Sequence, residues 1–376
     1  MLTAVISDLH LGARHRNDVL RSHDVRSYLM PLLSPVDQLV LLGDTLELRQ
    51  SPLDEVLDIA RPFFGELGEI IGGARVVIVA GNHDHALLTE PVQGQFERRV
   101  RPGDEGPVGR IASWMPQSEV LVSYPGYRIR DDVYATHGHY LDAHNSVPTI
   151  ETMLVSVSKR RRRFPSEGPL SVEDYERAMA PLYAIAFRGA QRATKTLPVA
   201  PGAPSKRLWE LLVRDDGKTT MVGRLLGGVV LPGGVAALNR LGFGPFDPEV
   251  SGPVLRRAGL RAISESLDRM GIEARHAIFG HTHRAGPLDR DEGWVTPGGI
   301  QLHNTGNWVY EPGFLGRSPT DSPYWPGGLT FVEDEGPPRL ERPLSHLRHE
   351  DFLPMLDVSA RALWPDQRDA EPAPPQ

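Results

Sequence analysis

The sequence of 376 residues contains no cysteine, and only 7% of its residues are aromatic. Without cysteine the chain cannot form a disulfide, use a thiolate nucleophile or hold zinc on sulfur. Any bound metal must therefore be held by histidine, aspartate, glutamate or asparagine. The lack of cysteine is also consistent with a reducing compartment.

The N-terminus shows no targeting signal. Met1 to Ile6 runs directly into Ser7 and Asp8, without a basic region and without an apolar stretch of signal-peptide length. We therefore expect a cytoplasmic protein, and peripheral attachment to a membrane remains open.

The composition is that of an ordinary globular protein, with 40% hydrophobic and 24% charged residues. A chain of this length exceeds the size at which one hydrophobic core usually stops growing, which predicts a main domain and a second module. Short β-branched runs alternate with segments of helical period, a pattern typical of an α/β fold with a largely parallel sheet. The predicted strands cover residues 2–6, 38–42, 75–80, 119–123, 127–136, 275–279, 300–304 and 328–332.

The pattern of apolar and charged residues between positions 145 and 275 differs from that of the rest of the sequence. This segment has helical periodicity and carries 20 Lys and Arg against 13 Asp and Glu, a net charge of +7 in a chain whose total is −7. We predict an inserted, mainly helical cap at 145–275, between two parts of one α/β domain at 1–144 and 276–345. Residues 346–376 form a C-terminal extension whose polar, Pro-rich end is predicted to be partly disordered.

Polar residues follow the first three predicted strands. They are Asp8-Leu9-His10, Gly43-Asp44 and Gly81-Asn82-His83-Asp84. Ligands of open α/β sheets collect at the carboxyl ends of the strands, so these clusters are expected to meet at one edge. Two later clusters, His137-Gly138-His139 and Gly280-His281-Thr282-His283, also lie at or just after strand ends.

These five clusters, in this order, resemble the calcineurin-like metallophosphoesterase family, whose pattern is D-x-H, G-D, G-N-H-D/E, H and G-H-x-H. The resemblance covers residues 1–144 and 276–310. It implies a sandwich of two mixed β-sheets flanked by helices, and a dinuclear metal-dependent hydrolase of phosphate esters or pyrophosphates. A water that bridges the two metals would be the nucleophile.

The resemblance also implies a role for each matched residue. Asp8, His10, Asp44 and His283 would hold one divalent metal, and Asp44, Asn82, His137 and His281 would hold the other. His83 would face the phosphoryl group as a protonated imidazole, and Asp84 would orient its loop from outside the ligand shell. Manganese is the expected metal, and iron, zinc, cobalt or nickel fit the same nitrogen and oxygen ligands.

Two positions, His139 and Asn304, stay open from the sequence. His139 could replace His137 as a ligand, contact the substrate or simply be solvated. Asn304 could line the site or form a local Asx turn. His281 and His283 are two residues apart, and on an extended segment their side chains would point to one face and reach different metals.

The cap carries two features that bear on the substrate. Residues 159–163 form a basic run after the largely apolar stretch 147–157, and this run is either a solvated face or a contact for an anionic lipid, a phosphate-bearing substrate or nucleic acid. Residues 225–238 are apolar but too short to span a bilayer, and they form either a buried core segment or a wall that receives acyl chains. Basic and apolar surfaces together suit an amphiphilic, lipid-linked or nucleotide-containing phosphate. Peripheral membrane contact through the cap is a second expectation.

The opening strands and the segment Leu41-Leu42-Gly43-Asp44 are also similar to those of UDP-diacylglucosamine pyrophosphatases. Those enzymes carry Arg where this chain has His83 and have a shorter insertion, which counts against that particular substrate. Two alternatives remain: a nucleic-acid phosphodiesterase that uses the basic run, and a noncatalytic scaffold. Few aromatic residues accompany the basic run, which weakens the nucleic-acid alternative.

Overall fold

The computed structural model describes residues 1–192, 239–240, 244, 246, 252–289, 291–315 and 322–356. Two mixed β-sheets are flanked by helices, so the predicted α/β sandwich is confirmed. The seven-stranded sheet has the order β11-β10-β1-β2-β3-β5-β4. Its strands are β1 (Thr3–Ile6), β2 (Gln38–Leu42), β3 (Arg75–Val79), β4 (Phe96–Val100), β5 (Glu119–Tyr124), β10 (Leu329–Val332) and β11 (Arg339–Glu341).

The second sheet has four strands in the order β6-β7-β8-β9. They are β6 (Gly126–Arg130), β7 (Val133–Thr136), β8 (His276–Phe279) and β9 (Gln301–Asn304). β7, β8 and β9 are parallel, and β6 pairs antiparallel with β7. Both sheets therefore place several strand carboxyl ends at one edge.

The alternation of apolar residues explains how the sheets pack. In β1, β2, β3 and β5, which are mutually parallel, successive side chains point to opposite faces. Val5, Val40 and Val77 face the second sheet and pack with Val133 and Ile278. The residues between them, such as Ala4, Leu39 and Val76, face the helical side of the sheet. Because both faces are buried, the interior positions of these strands are mainly apolar.

Helices cover the outer faces of both sheets. Their bounds are α1 (His23–Leu33), α2 (Leu53–Ile71), α3 (Pro107–Trp114), α4 (Ile150–Arg162), α5 (Val172–Arg192), α6 (Gly252–Arg269), α7 (Pro312–Leu315) and α8 (His349–Met355). Short 3₁₀ helices span Val19–Arg21, His85–Leu87 and His139–Ala143. α1, α2 and α3 pack on the large sheet, while Leu260, Ile263 and Leu267 of α6 pack on the four-stranded sheet.

Two details of the predicted strands were wrong. The range 127–136, expected as one strand, is a hairpin in which β6 and β7 pair around residues 131 and 132. The strands β4 and β11 were missed because they lie at the two edges of the large sheet, where charged residues such as Arg98, Arg99 and Arg339 replace an apolar alternation.

Parts of the predicted cap and tail lie outside the described residues, including the apolar segment 225–238 and residues 357–376. Within the described parts of 145–275, the secondary structure consists of helices α4, α5 and α6 and the helical residues 239–240. No helix among the described residues is long and apolar enough to cross a bilayer.

Candidate metal centre

The polar clusters after β1, β2 and β3 converge at one edge of the large sheet, as expected. The backbone amide of Asp8 donates to the Gly43 carbonyl at 3.1 Å, and that of His10 donates to the Asp44 carbonyl at 2.8 Å. Asp8, Asp44 and His137 are buried. The clusters at His137 and at His281 come from the second sheet and complete the same site, so the centre lies at the junction of the two sheets.

One group of possible metal ligands consists of Asp8, His10 and His283. The Nε2 atoms of His10 and His283 face each other at 3.1 Å, and Oδ1 of Asp8 lies 3.3 Å from Nε2 of His283. Oδ2 of Asp44 lies 3.7 Å from Nε2 of His10. These four side chains are the set predicted for one metal.

A second group lies on the other side of Asp44 and consists of Asp44, His137 and His281. Oδ2 of Asp44 is 3.3 Å from Nε2 of His137. The side-chain oxygen of Asn82 lies 3.2 Å from Nε2 of His137, Nδ1 of His281 and Oδ2 of Asp44. Asp44 is therefore shared between the two predicted metal sets.

The chemistry of these contacts fits a pair of cations. Oδ1 of Asp8 is buried and has no hydrogen-bond partner among the described residues, although burying a polar atom without a partner is costly. The Asn82 oxygen faces only lone-pair-bearing atoms, an arrangement that a cation would stabilise.

The backbone at the site is held in an unusual conformation. Seven non-glycine residues of the described chain have positive φ, and five of them belong to the predicted ligand set: Asp8, His10, Asp44, His281 and His283. Such left-handed conformations cost free energy in non-glycine residues and concentrate at functional sites. The expectation that His281 and His283 lie on an extended segment is therefore wrong, because φ is 64° at His281 and 56° at His283.

Two glycines allow the strand ends to come this close together. A Cβ atom at Gly81 would lie 2.2 Å from Oδ1 of Asp44, and one at Gly43 would lie 2.4 Å from the ring of His137. Gly43 also has φ +82°. Any larger residue at either position would displace Asp44 or His137 from the centre.

The carboxylates create a strongly negative field at the centre. Burial alone would raise the pKa of Asp44, but the imidazoles of His137, His83 and His10 outweigh it and hold that pKa well below its usual range. Burial opposes protonation of His10 and His137, yet the neighbouring carboxylates raise their pKa values to about 9 and about 10. A field that favours imidazolium to this extent favours metal cations in the same place, and metal binding would displace those protons.

Two further carboxylates orient histidines of the centre by contacting one nitrogen of each ring. Oε2 of Glu47 lies 3.1 Å from Nδ1 of His10 and 2.7 Å from Nδ1 of His83, and Oδ2 of Asp142 lies 3.1 Å from Nε2 of His281. Such partners fix the ring orientation and leave the other nitrogen to face the metal. Sequence reasoning missed both residues. Glu47 follows Asp44 by three residues, and this short spacing from a predicted ligand is the one sequence feature that could have indicated it.

His83 lies at the rim of the centre, between the carboxylate of Glu47 and the guanidinium of Arg49. Its Nδ1 contacts Glu47, and its Nε2 is 3.3 Å from an Nη of Arg49. Because the guanidinium can only donate, Nε2 carries the lone pair and Nδ1 carries the proton. Burial and the Arg49 cation lower the pKa of His83 despite the attraction of Glu47. These contacts favour the neutral imidazole in the absence of substrate, and the protonated His83 expected from the sequence stays a prediction.

Asp84 and Asn304 both support loops of the centre. The Asp84 carboxylate accepts hydrogen bonds from the backbone amides of Gly81 at 2.7 Å and Thr45 at 2.8 Å, which joins the loops after β2 and β3. Asn304 donates to the Gly280 carbonyl at 2.9 Å and accepts from the Gly306 amide at 2.9 Å. Both side chains are fully buried, so their position supports the loops rather than contact with a substrate.

His139 is not part of either ligand group. Its Nε2 lies 3.0 Å from the Tyr124 hydroxyl, which donates to Glu176 of α5 at 2.6 Å. Its Nδ1 has no partner among the described residues. Glu176 also accepts from the Tyr140 hydroxyl at 2.7 Å and contacts Nε2 of His85 at 2.9 Å. This buried network, which the sequence did not reveal, joins helix α5 to the loops that carry the ligands.

Residues 1–184 match the family model for calcineurin-like phosphoesterases. The crystal structure of a dimetal phosphatase from Danio rerio is similar to this chain, with 13% sequence identity, a TM-score of 0.32 and coverage of 88% of this chain and 91% of that chain. No match was found among curated proteins. The range of the family match contains Asp8, His10, Asp44, Asn82 and His137, and it ends before His281 and His283.

Proposed function

We propose that this chain, whose residues 1–184 match the calcineurin-like phosphoesterase model, is a metal-dependent phosphoesterase with a dinuclear divalent metal site. Its proposed substrate is an amphiphilic or nucleotide-containing phosphate. The observation that carries the site assignment is the position of Asp44. Its carboxylate lies between the two groups of ligand atoms, within 3.7 Å of His10 on one side and 3.3 Å of His137 on the other.

The proposed ligand sets are those expected from the sequence. Asp8, His10, Asp44 and His283 hold one cation, and Asp44, Asn82, His137 and His281 hold the other. A carboxylate shared by two cations lowers their mutual repulsion. When bound, the two cations supply Lewis-acid stabilisation of the phosphoryl oxygens and lower the pKa of an attacking water. Glu47 and Asp142 orient the ligand imidazoles through their second nitrogens.

His83 is proposed to protonate the leaving oxygen. Glu47 holds Nδ1, so Nε2 is the atom that exchanges a proton with the substrate. A phosphate anion beside Arg49 would draw the guanidinium away from Nε2 and would favour the protonated imidazole that the free protein disfavours. Arg49 would then neutralise charge on the phosphoryl group.

The proposed metal is manganese, with iron, zinc, cobalt and nickel as alternatives, because mixed nitrogen and oxygen ligands accept all of them. The proposed location is the cytoplasm. A reducing compartment suits a chain without cysteine, and it would supply a nucleotide-containing substrate.

The amphiphilic substrate is supported by the outer surface of α4 and α5. Leu154 and Val157 of α4 are 50% and 36% exposed, and Ile185 of α5 is 61% exposed. The exposed residues Arg160 to Arg163 continue α4 beyond this apolar surface. Apolar side chains beside a basic cluster suit an anionic lipid surface. We propose that these helices contact the membrane from which a lipid-linked substrate is taken.

The nucleic-acid alternative has less support in the structure. The Lys159 amine donates to the Ala143 carbonyl and lies 5.0 Å from the centroid of the Phe164 ring. Phe164 is the one aromatic residue that adjoins the basic run, and its ring is already covered by this cation. A single-strand binder needs such a ring for base stacking.

The proposed function is tested with four manganese-supplemented substrates: a nitrophenyl monoester, a nitrophenyl diester, a nucleoside pyrophosphate, and a lipid-linked nucleoside pyrophosphate in anionic vesicles. We expect the lipid-linked substrate to give the highest kcat/KM. Ile185→Ser should lower that value and leave the soluble substrates unchanged. Ile70→Ser, which changes an isoleucine of α2 that is 41% exposed, is the matched control.

Equal rates on soluble and vesicle-borne substrates, unaffected by Ile185→Ser, would contradict the membrane proposal. A preference for the diester alone would move the nucleic-acid alternative to first place. An absence of turnover on all four substrates under every metal supplement would favour the scaffold alternative.

A further inference from the structure

Helix α5 places a tyrosine hydroxyl beside the metal centre without giving it a partner. The hydroxyl of Tyr183 is buried and makes no hydrogen bond within the described residues. Its ring lies against two histidines that follow the ligand loops, with centroid distances of 5.2 Å to His85 and 5.8 Å to His139. A buried hydroxyl in this position loses its hydration and gains nothing from the protein in return.

The ring contacts of Tyr183 connect it to the metal centre, because the ring of His139, which lies against Tyr183, is 5.6 Å from the ring of the predicted ligand His137. Asp44, Asp142 and Arg49 are all close enough to act on it electrostatically. Asp44 is the shared carboxylate, Asp142 contacts the ligand His281, and Arg49 contacts His83. Burial and the carboxylates of Asp142 and Glu176 raise the pKa of Tyr183 well above its usual value, so the hydroxyl keeps its proton and can only act as a neutral donor or acceptor.

The position of Tyr183 is fixed by the helix that carries it. Glu176 and Tyr183 are seven residues apart, which is about two helical turns and places them on one face of α5. Glu176 accepts hydrogen bonds from the hydroxyls of Tyr124 and Tyr140 and contacts His85. The ring of Tyr175, at the preceding position, stacks on Tyr140 at 4.3 Å. α5 is therefore anchored to the ligand loops about two turns before Tyr183.

An unpartnered tyrosine hydroxyl does not by itself indicate a ligand. Tyr134 of β7 is also buried without a partner among the described residues, but it belongs to the apolar cluster beneath α6. Among the residues that the structure describes, no group of possible metal ligands includes a member of that cluster, and the Arg128 guanidinium lies 5.8 Å from the centroid of the Tyr134 ring. Tyr183 differs because its ring lies against His85 and His139, and the ring of His139 lies against the predicted ligand His137.

We propose that the Tyr183 hydroxyl donates a hydrogen bond to a non-bridging oxygen of the substrate phosphoryl group, and that α5 thereby supplies a substrate-binding residue to the metal centre. The ligand class is a tetrahedral oxyanion. This role rests on the proposed phosphoester hydrolysis at the same site. Arg49 would hold the same group from the loop after β2, so the phosphoryl group would lie between the α/β domain and α5.

The test compares Tyr183→Phe with Tyr134→Phe, two substitutions that each remove one unpartnered buried hydroxyl. A hydrogen bond to a charged group stabilises a complex more than one between neutral groups does. Tyr183→Phe should therefore lower kcat/KM about 10- to 100-fold and weaken binding of inorganic phosphate by a similar factor. Phosphate binding is measured by calorimetry on the manganese-loaded protein. Tyr134→Phe should leave both quantities unchanged.

A structural role is excluded by measuring metal content and the melting temperature of the metal-free protein. We expect Tyr183→Phe to keep the wild-type metal content and to melt at or above the wild-type temperature, since the lost hydroxyl had no partner. Phosphate affinity equal to that of wild type would overturn the proposal, as would a lower melting temperature with lost metal. Because phosphate binding is measured without turnover, it decides the role of Tyr183 even if the wild-type protein hydrolyses none of the four substrates.

Discussion

Substitution of Asp44 by alanine is expected to lower kcat by at least about a thousandfold, because the shared carboxylate holds both cations and their charge stabilisation is worth several kcal/mol. The carboxylate lies between the His10 side and the His137 side of the centre. Its removal should also reduce the metal content from two per chain to one or none. Turnover is measured with the best substrate of the panel, and metal content by elemental analysis.

Asp44 also accepts a hydrogen bond from the backbone amide of His83 at 2.8 Å, so alanine could disturb the loop after β3. Asp44→Asn keeps the shape and the acceptor but removes the charge, and it should show nearly the same loss. Asp58→Ala, an exposed position of α2, is the control and should behave as wild type. Near-wild-type turnover in both Asp44 variants would mean that this carboxylate holds no metal required for the reaction.

His83→Gln is expected to lower kcat by about 10²- to 10⁴-fold for an alkyl phosphate, since that is the usual contribution of a positioned general acid. The metal content should stay at two per chain. Both ring nitrogens of His83 already have partners, Glu47 and Arg49, so we assign it no cation even though its position lies within reach of His10 and Asp44. The loss should be much smaller for a nitrophenyl ester, whose leaving group departs without protonation.

The comparison of the two leaving groups separates proton transfer from structural damage. A loss that is equal for alkyl and nitrophenyl esters would contradict the general-acid role. Loss of a metal in His83→Gln would show instead that His83 is a ligand. His346→Gln, an exposed histidine near the C-terminal end of the described chain, should change neither quantity.

The ligand residues could be proposed from the sequence because each follows or ends a strand, and strands are readable from their apolar runs. Asp8, Asp44 and Asn82 each come within three residues of such a run, and parallel strands bring their ends to one edge. The pattern of the five clusters then indicated the family. The fold class followed from the same strands, since β-branched runs separated by helical segments favour a parallel sheet.

The supporting residues could not be read in the same way. Asp142 of a 3₁₀ helix contacts the predicted ligand His281, and Glu176 and Tyr183 of α5 contact His85 and His139, all of which are distant from their partners in sequence. No spacing rule predicts such contacts. The left-handed backbone of His281 and His283 was equally hidden, because positive φ is expected from glycine rather than histidine.

The central claim is that two cations lie on either side of the Asp44 carboxylate, and anomalous diffraction from manganese-loaded crystals tests it most directly. The account predicts two anomalous peaks about 3.5–4 Å apart, the separation usual for two-metal sites. One should lie among Asp8, His10 and His283, and the other among Asn82, His137 and His281. A single peak, or a peak coordinated by His83 or His139, would contradict the account.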